Sequence, residues 1–203
     1  MTSARPTRVV EVAPERLERW IAGFEERHGS VSVVRRSDVV VRLLGADGAQ
    51  AAFDYFQHDP LAVVLVRRGG YAVGVVNDAR ITAAKVGTRH VQSRTAAGGW
   101  SQQRFARRRG NQADALVEAV ATHTAQLVLA TGPAGLLVGG DRALVASVLA
   151  DSRLGSLTAL PRRELFDLPD PTRAVLDRAV ERGRAVRVTL IEPQGPAPAA
   201  SGS

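Results

Sequence analysis

Leu61-Ala62-Val63-Val64-Leu65-Val66 is an unbroken apolar run rich in β-branched residues. A half-buried strand alternates polar and apolar side chains, so a run without alternation suits a strand covered on both faces. The reading of the fold spreads outward from it. Gly69 and Gly70 mark a hairpin turn, and residues 71–76 supply the returning strand. Residues 81–91 form a third, more polar strand. The stretch 93–101 is too small and polar to pack a core. From Gln102 onward the pattern turns helical: Ala113, Leu116, Val117, Val120, Ala121, Thr124, Leu127 and Val128 make one stripe that ends at Gly132-Pro133. A strand at 135–139, a helix at 141–149 capped by Asp141 and a short strand at 157–160 follow. Asp170 and Pro171 start a helix that runs to Gly183, and residues 185–191 close as a strand.

Upstream of the run, Leu17, Trp20, Ile21 and Phe24 share a helical face within residues 14–28. Residues 31–34 and 39–43 read as strands, and the Ala46-Asp47-Gly48 turn leads into an extended stretch, 49–56. The expected fold is α/β, a mixed β-sheet flanked by helices with a small N-terminal αβ unit. The expected division is 1–58 for that unit, 59–192 for the main domain and 193–203 for a disordered tail rich in Pro, Ala, Ser and Gly.

The chain has no cysteine, which excludes disulfides, thiolate nucleophiles and cysteine zinc sites. No apolar run reaches the roughly 20 residues of a membrane span, and residues 1–8 lack a signal-peptide core, so a cytoplasmic protein without membrane partners is expected. Net charge is +7, and residues 85–112 hold seven cations (Lys85, Arg89, Arg94, Arg104, Arg107, Arg108, Arg109) and no acid. A concentrated basic stretch suits a polyphosphate, because each neutralised phosphate releases counterions. A solvated basic face is the plainer alternative.

That stretch contains Ala96-Ala97-Gly98-Gly99-Trp100-Ser101-Gln102-Gln103-Arg104-Phe105-Ala106-Arg107. Paired glycines let a backbone approach a ligand closely. Ser101 is placed as an N-cap, so the helix behind it would aim free N–H groups at the loop. Arg104, Arg107 and Arg108 lie about one turn apart, and with Arg94 and Arg109 they are candidates for RNA phosphate contacts. Trp100 is a candidate for stacking on a base, or for packing.

The segment resembles the middle domain of eukaryotic and archaeal class-1 peptide-chain release factors, in which a Gly-Gly-Gln loop precedes a helix reading Arg-Phe-Ala-Arg. Arg104-Phe105-Ala106-Arg107 matches that helix letter for letter, and the likeness extends over residues 59–192. It is closer still to the Vms-type, actinobacterial-type branch of release-factor-like peptidyl-tRNA hydrolases of ribosome quality control, whose loop reads Gly-Gly-Ser-Gln or a close variant. The resemblance implies a release-factor middle-domain-like fold and hydrolysis of peptidyl-tRNA on stalled large ribosomal subunits. Its implied partners are the rRNA of the large subunit and peptidyl-tRNA; a monomer with no metal or cofactor is expected. Gly98 and Gly99 match the family glycines. Counted from Arg-Phe-Ala-Arg, the release-factor glutamine falls on Trp100; the Gly-x-Ser-Gln spacing selects Gln102, with Gln103 as the alternative. Together with Ser101 these residues form the candidate site. The ester of peptidyl-tRNA is already activated, so an amide that orients water and N–H groups that receive the oxyanion suffice. Two other functions stay open: a non-catalytic rRNA- or tRNA-binding factor, and an endonuclease cutting near the tRNA 3′ end.

Overall fold

A computed structural model of the chain describes residues 7–88 and 100–193, without the side chains of residues 100–111. Strand β1 (Thr7–Val12) leads through a 3-10 turn at Pro14–Arg16 into helix α1 (Leu17–His28). Pro14 suits the turn's first position, where its missing N–H costs nothing. Gly29, at φ +74, ends the helix in a conformation that glycine adopts without strain. Strands β2 (Val31–Arg36), β3 (Val39–Gly45) and β4 (Gln50–Asp54) follow, then β5 (Leu61–Arg67), β6 (Gly70–Asn77) and β7 (Arg80–Thr88). Helix α2 (Trp100–Val128) precedes β8 (Gly135–Gly140), α3 (Arg142–Leu149), the short α4 (Gly155–Thr158), β9 (Arg162–Leu165), α5 (Arg173–Arg184) and β10 (Val186–Ile191).

The described residues fall into two compact units, 57–183 and 7–56 with 184–193. The larger unit holds a five-stranded mixed sheet in the order β7-β6-β5-β8-β9. The first three of these strands in sequence pair antiparallel, while β8 runs parallel to β5 and β9 parallel to β8. The apolar run is the sheet's middle strand, and all six residues from Leu61 to Val66 are buried to 1% exposure or less. On one face Ala62, Val64, Val73, Val75, Leu136 and Val138 pack with Leu116, Val120, Ala121 and Val128 of α2 and with Val145 and Val148 of α3. On the other, Leu176 lies against Gly74 and Gly183 against Leu137, so α5 covers it. Burial on both faces is what removes the alternation from the sequence.

The smaller unit is an antiparallel sheet in the order β1-β10-β4-β3-β2. Phe24, Leu43, Ala51, Phe53, Val188 and Leu190 form its core, with Trp20 and Ile21 of α1 packed against it. The α/β class with helix-flanked sheets is therefore as expected. The last strand, which the sequence division assigns to the main domain, hydrogen-bonds instead between β1 and β4.

Three local expectations differ. The strand expected at 157–160 is helix at Leu157 and Thr158, and β9 begins after Pro161. Its sequence Arg-Arg-Glu-Leu hides it, because only Arg163 and Leu165 are turned inward. Asp170 pairs with Arg67 (Oδ1–Nε 3.2 Å), and Thr172 starts α5, its hydroxyl accepting from the Val175 N–H at 3.2 Å. Helix α2 reaches back to Trp100, so Ser101 is a helical residue and not the cap. Asp141 does cap α3, accepting from the N–H groups of Ala143 (2.9 Å) and Leu144 (3.1 Å).

Candidate functional site

The basic glycine segment joins the end of β7 at Thr88 to the start of α2 at Trp100. Of the candidate residues, Arg94, Gly98 and Gly99 lie outside the described residues. Trp100, Ser101, Gln102, Gln103, Arg104, Arg107, Arg108 and Arg109 lie on α2, where the backbone alone is described. The helix places Gln102 and Gln103 in or next to its first turn, where N–H groups have no intrahelical acceptor. Its 29 residues span about 44 Å at 1.5 Å each, whereas the 7–9-residue strands β5 to β7 run roughly 23–30 Å. Helix α2 is thus far longer than the sheet that its described stripe covers.

Both elements that bound the segment are firmly held. On β7, Gly87 faces Tyr71, and a Cβ there would meet the Tyr71 ring. A Cβ on Gly70 would come within 2.6 Å of the Gly87 carbonyl. Glycine at both positions lets β6 and the last turn of β7 approach closely. The Tyr71 ring in turn stacks on His123 of α2, 5.5 Å between centroids. This gives His123 the structural role that its place beside the apolar stripe suggests.

The second hold is Arg153, in the 3-10 turn after α3. Its guanidinium donates to Asp151 (Nε–Oδ1 2.9 Å, Nη2–Oδ2 2.6 Å), to Glu118 (2.9 Å) and to the Thr122 hydroxyl (3.1 Å) on α2. Hydrogen bonds from the Arg153 side chain and N–H hold the Asp151 carboxyl down to about 2, and Asp151 and Glu118 raise the guanidinium in return. Inside α2, the buried Thr124 hydroxyl donates to the Val120 carbonyl at 2.7 Å, which satisfies it without a partner in the core. Sequence reading missed this clamp. Glu118 and Thr122 are a recognisable i, i+4 pair, but no local signal joins them to an arginine more than thirty residues away.

Among the described residues, no three histidines, acids or cysteines are placed to hold a metal ion. His28 pairs with Asp47 (2.8 Å), whose other oxygen accepts from the Ala49 N–H at 2.9 Å; the pair fastens the β3–β4 turn. A shallow groove of about 420 Å³ beside α3 and β9 contains Arg142 stacked 4.0 Å over Phe166 and paired with Glu164. None of its lining residues belongs to the glycine segment. No helix among the described residues is long and apolar enough to cross a membrane.

The model of a protein family described as Actinobacteria/chloroflexi VLRF1 release factor matches residues 59–189, well over half of the chain. The match starts just before β5, spans the glycine segment and ends within β10. No curated protein matches the chain.

Proposed function

The chain belongs to the Actinobacteria/chloroflexi VLRF1 release factor family, whose role is release-factor-like and ribosome-associated, and from that premise we propose that it hydrolyses peptidyl-tRNA on stalled or obstructed large ribosomal subunits. The observation that carries this reading is the direct run of Gly98-Gly99-Trp100-Ser101-Gln102-Gln103 into a long helix that begins at Trp100. Gly98 and Gly99 let the backbone reach the ester between peptide and tRNA ribose. Gln102, with Gln103 as the alternative, orients the attacking water through a neutral amide. N–H groups of the helix's first turn receive the negative charge that develops on the carbonyl oxygen. The products are a free peptide acid and a tRNA with its 3′ hydroxyl restored. No titrating base is required, because the ester is already activated and positioning supplies most of the gain.

Arg94, Arg104, Arg107, Arg108 and Arg109 hold rRNA or tRNA phosphates, and Trp100 stacks on a base. Their grip is electrostatic and falls with salt. The protein acts as a cytoplasmic monomer with neither metal nor cofactor. The test is incubation of the purified protein with 50S–peptidyl-tRNA complexes, followed by gel analysis of both products. Free peptide with intact tRNA is expected. Shortened tRNA would instead identify an endonuclease. Binding without either product would identify a non-catalytic factor, the reading that Trp100 at the release-factor glutamine position would favour.

A further inference from the structure

None of the residues proposed for that chemistry belongs to the smaller unit, and its surface differs from that of the larger unit's described residues in two respects. The first is exposed apolar area. Among the described residues, the exposed large apolar side chains are Val9 (57%), Val33 (45%), Val34 (51%), Val39 (40%) and Leu44 (43%). All five belong to the antiparallel sheet, and the larger unit contributes none of them. Directly paired residues share a face, so the strand register puts Val9, Val34 and Leu44 together, whereas Val33 pairs with Leu43 on the opposite face. Val9, Thr189, Ala52, Arg42 and Val34 form one row across the sheet, and Thr7, Ile191, Gln50, Leu44 and Ser32 form the next. Both rows lie on the face opposite Phe53, Leu43 and Val188, the face that α1 does not cover. Arg42 is the one charged residue in the two rows.

The second difference is charge. Outside residues 85–112 the chain carries 20 cations and 20 acids, and residues 7–56 with 184–193 carry nine of each. Phosphate affinity is therefore concentrated in the glycine segment, and the open sheet face has no excess charge with which to hold RNA. At about 4.8 Å between strands and 3.4 Å per residue, the two rows cover roughly 20 by 10 Å, on the order of 200 Å², and the next row on this face, Glu11, Arg187 and Asp54, is charged but not in excess of one sign. The area of the two rows falls well short of the ~800 Å² per partner of a standard stable interface, so it does not suffice for a dimer by itself. It does suit an auxiliary contact beside a stronger, electrostatic one.

We propose that this open face docks on a protein surface of the large ribosomal particle, one that is apolar and offers a carboxylate to Arg42. The proposal rests on the ribosomal reading above. The apolar rows contribute affinity that is insensitive to salt, while the basic segment contributes affinity that salt weakens.

The experiment is a binding titration of the full chain on 50S–peptidyl-tRNA complexes over a salt series. It compares wild type, Val34→Lys/Leu44→Lys, and Arg104→Ala/Arg107→Ala/Arg108→Ala. Both lysine positions are exposed, so those variants keep the fold, and circular dichroism checks it. Lysine weakens docking on an apolar protein surface about tenfold, with the log–log salt slope unchanged. The alanine variant weakens binding and flattens the slope by about one unit per lost phosphate contact. Tighter binding by the lysine variant, with a steeper slope, would mean that RNA covers the face and would overturn the proposal. Unchanged affinity would overturn it as well. A micromolar dimer of the free wild type that the lysine pair abolishes would assign the face to a second copy. If wild type does not bind the particle at all, the ribosomal reading fails and takes this inference with it.

Discussion

The two five-stranded sheets solve the same problem in opposite ways. The mixed sheet buries both faces, under α2 and α3 on one side and α5 on the other, and its middle strand is apolar at every position from Leu61 to Val66. The antiparallel sheet buries one face under α1 and leaves Val9, Val34 and Leu44 on the other. One is covered on both faces, and its edge strand β7 ends where the basic segment begins in sequence. The other has one face on which Val9, Val34 and Leu44 are exposed among the described residues. On the two proposals above, chemistry goes with the mixed sheet and docking with the antiparallel one, and each prediction below is a way to break or sharpen that division.

The largest effect should come from Val188→Asp. Val188 is fully buried in β10, between β1 and β4. An unpaired carboxylate there costs on the order of 4–5 kcal/mol, enough to unfold a unit this small. Amide exchange should lose protection in β1, β4 and β10 and keep it in β5, β6 and β8. Collapse of both sheets together would end the division. The next effect is confined to chemistry. Gln102→Ala, Gln103→Ala and the double variant should keep both sheets and particle binding, with single-turnover release falling about 10²–10³-fold in whichever variant removes the working amide. Loss with Gln103→Ala alone would move the register by one residue. Full activity in the double variant would remove glutamine from the mechanism.

How far the sequence could be read follows the same division. The middle strand and the long helix stripe were legible because burial on both faces, or along one helical face, leaves a strong period. The order of the antiparallel sheet was not, because its closing strand is about 130 residues from β4 and long-range pairing has no local signature. Strand β9 was missed because three of its four residues are charged. The Asp170 cap was misassigned because an acid before proline fits a cap equally well as a salt-bridge partner of Arg67. At the candidate site, the glycines, the amides and the arginines are a reading of the sequence alone. The anchors that hold the flanking elements could not be read there, since Tyr71, His123 and Arg153 act across strands and turns.

Two glycines with positive φ sharpen the contrast in packing. Gly140, at φ +98, ends β8, and a Cβ there would meet the Val66 carbonyl. Gly48, at φ +87, lies in the β3–β4 turn with open space around its Cβ position. Both alanine variants acquire backbone strain, but only Gly140→Ala adds a collision inside the closed sheet. Gly48→Ala should cost about 1 kcal/mol and Gly140→Ala nearer 3 kcal/mol, read from chemical denaturation. Equal costs would show that the mixed sheet yields as easily as an exposed turn.

The smallest effect tests whether the Arg153 clamp holds α2 through charge. The Asp151 carboxyl is held at about 2, below its ordinary 3.8, chiefly by the hydrogen bonds from the Arg153 side chain and N–H. A carboxyl depressed in the folded state contributes stability that is complete above 3.8 and is lost as pH falls through about 2. Asp151→Asn should therefore melt below wild type by a constant margin between pH 5 and pH 7. That margin should shrink once pH drops below about 4 and come close to vanishing near pH 2, where wild type has taken up the proton as well. Because Arg153 also grips Glu118 and Thr122, the loss should appear as faster amide exchange in the middle of α2, with the antiparallel sheet unchanged. A margin that stays the same down to pH 2 would mean that Asp151 serves by shape and neutral hydrogen bonding. The clamp would then owe its hold on α2 to Glu118 and Thr122.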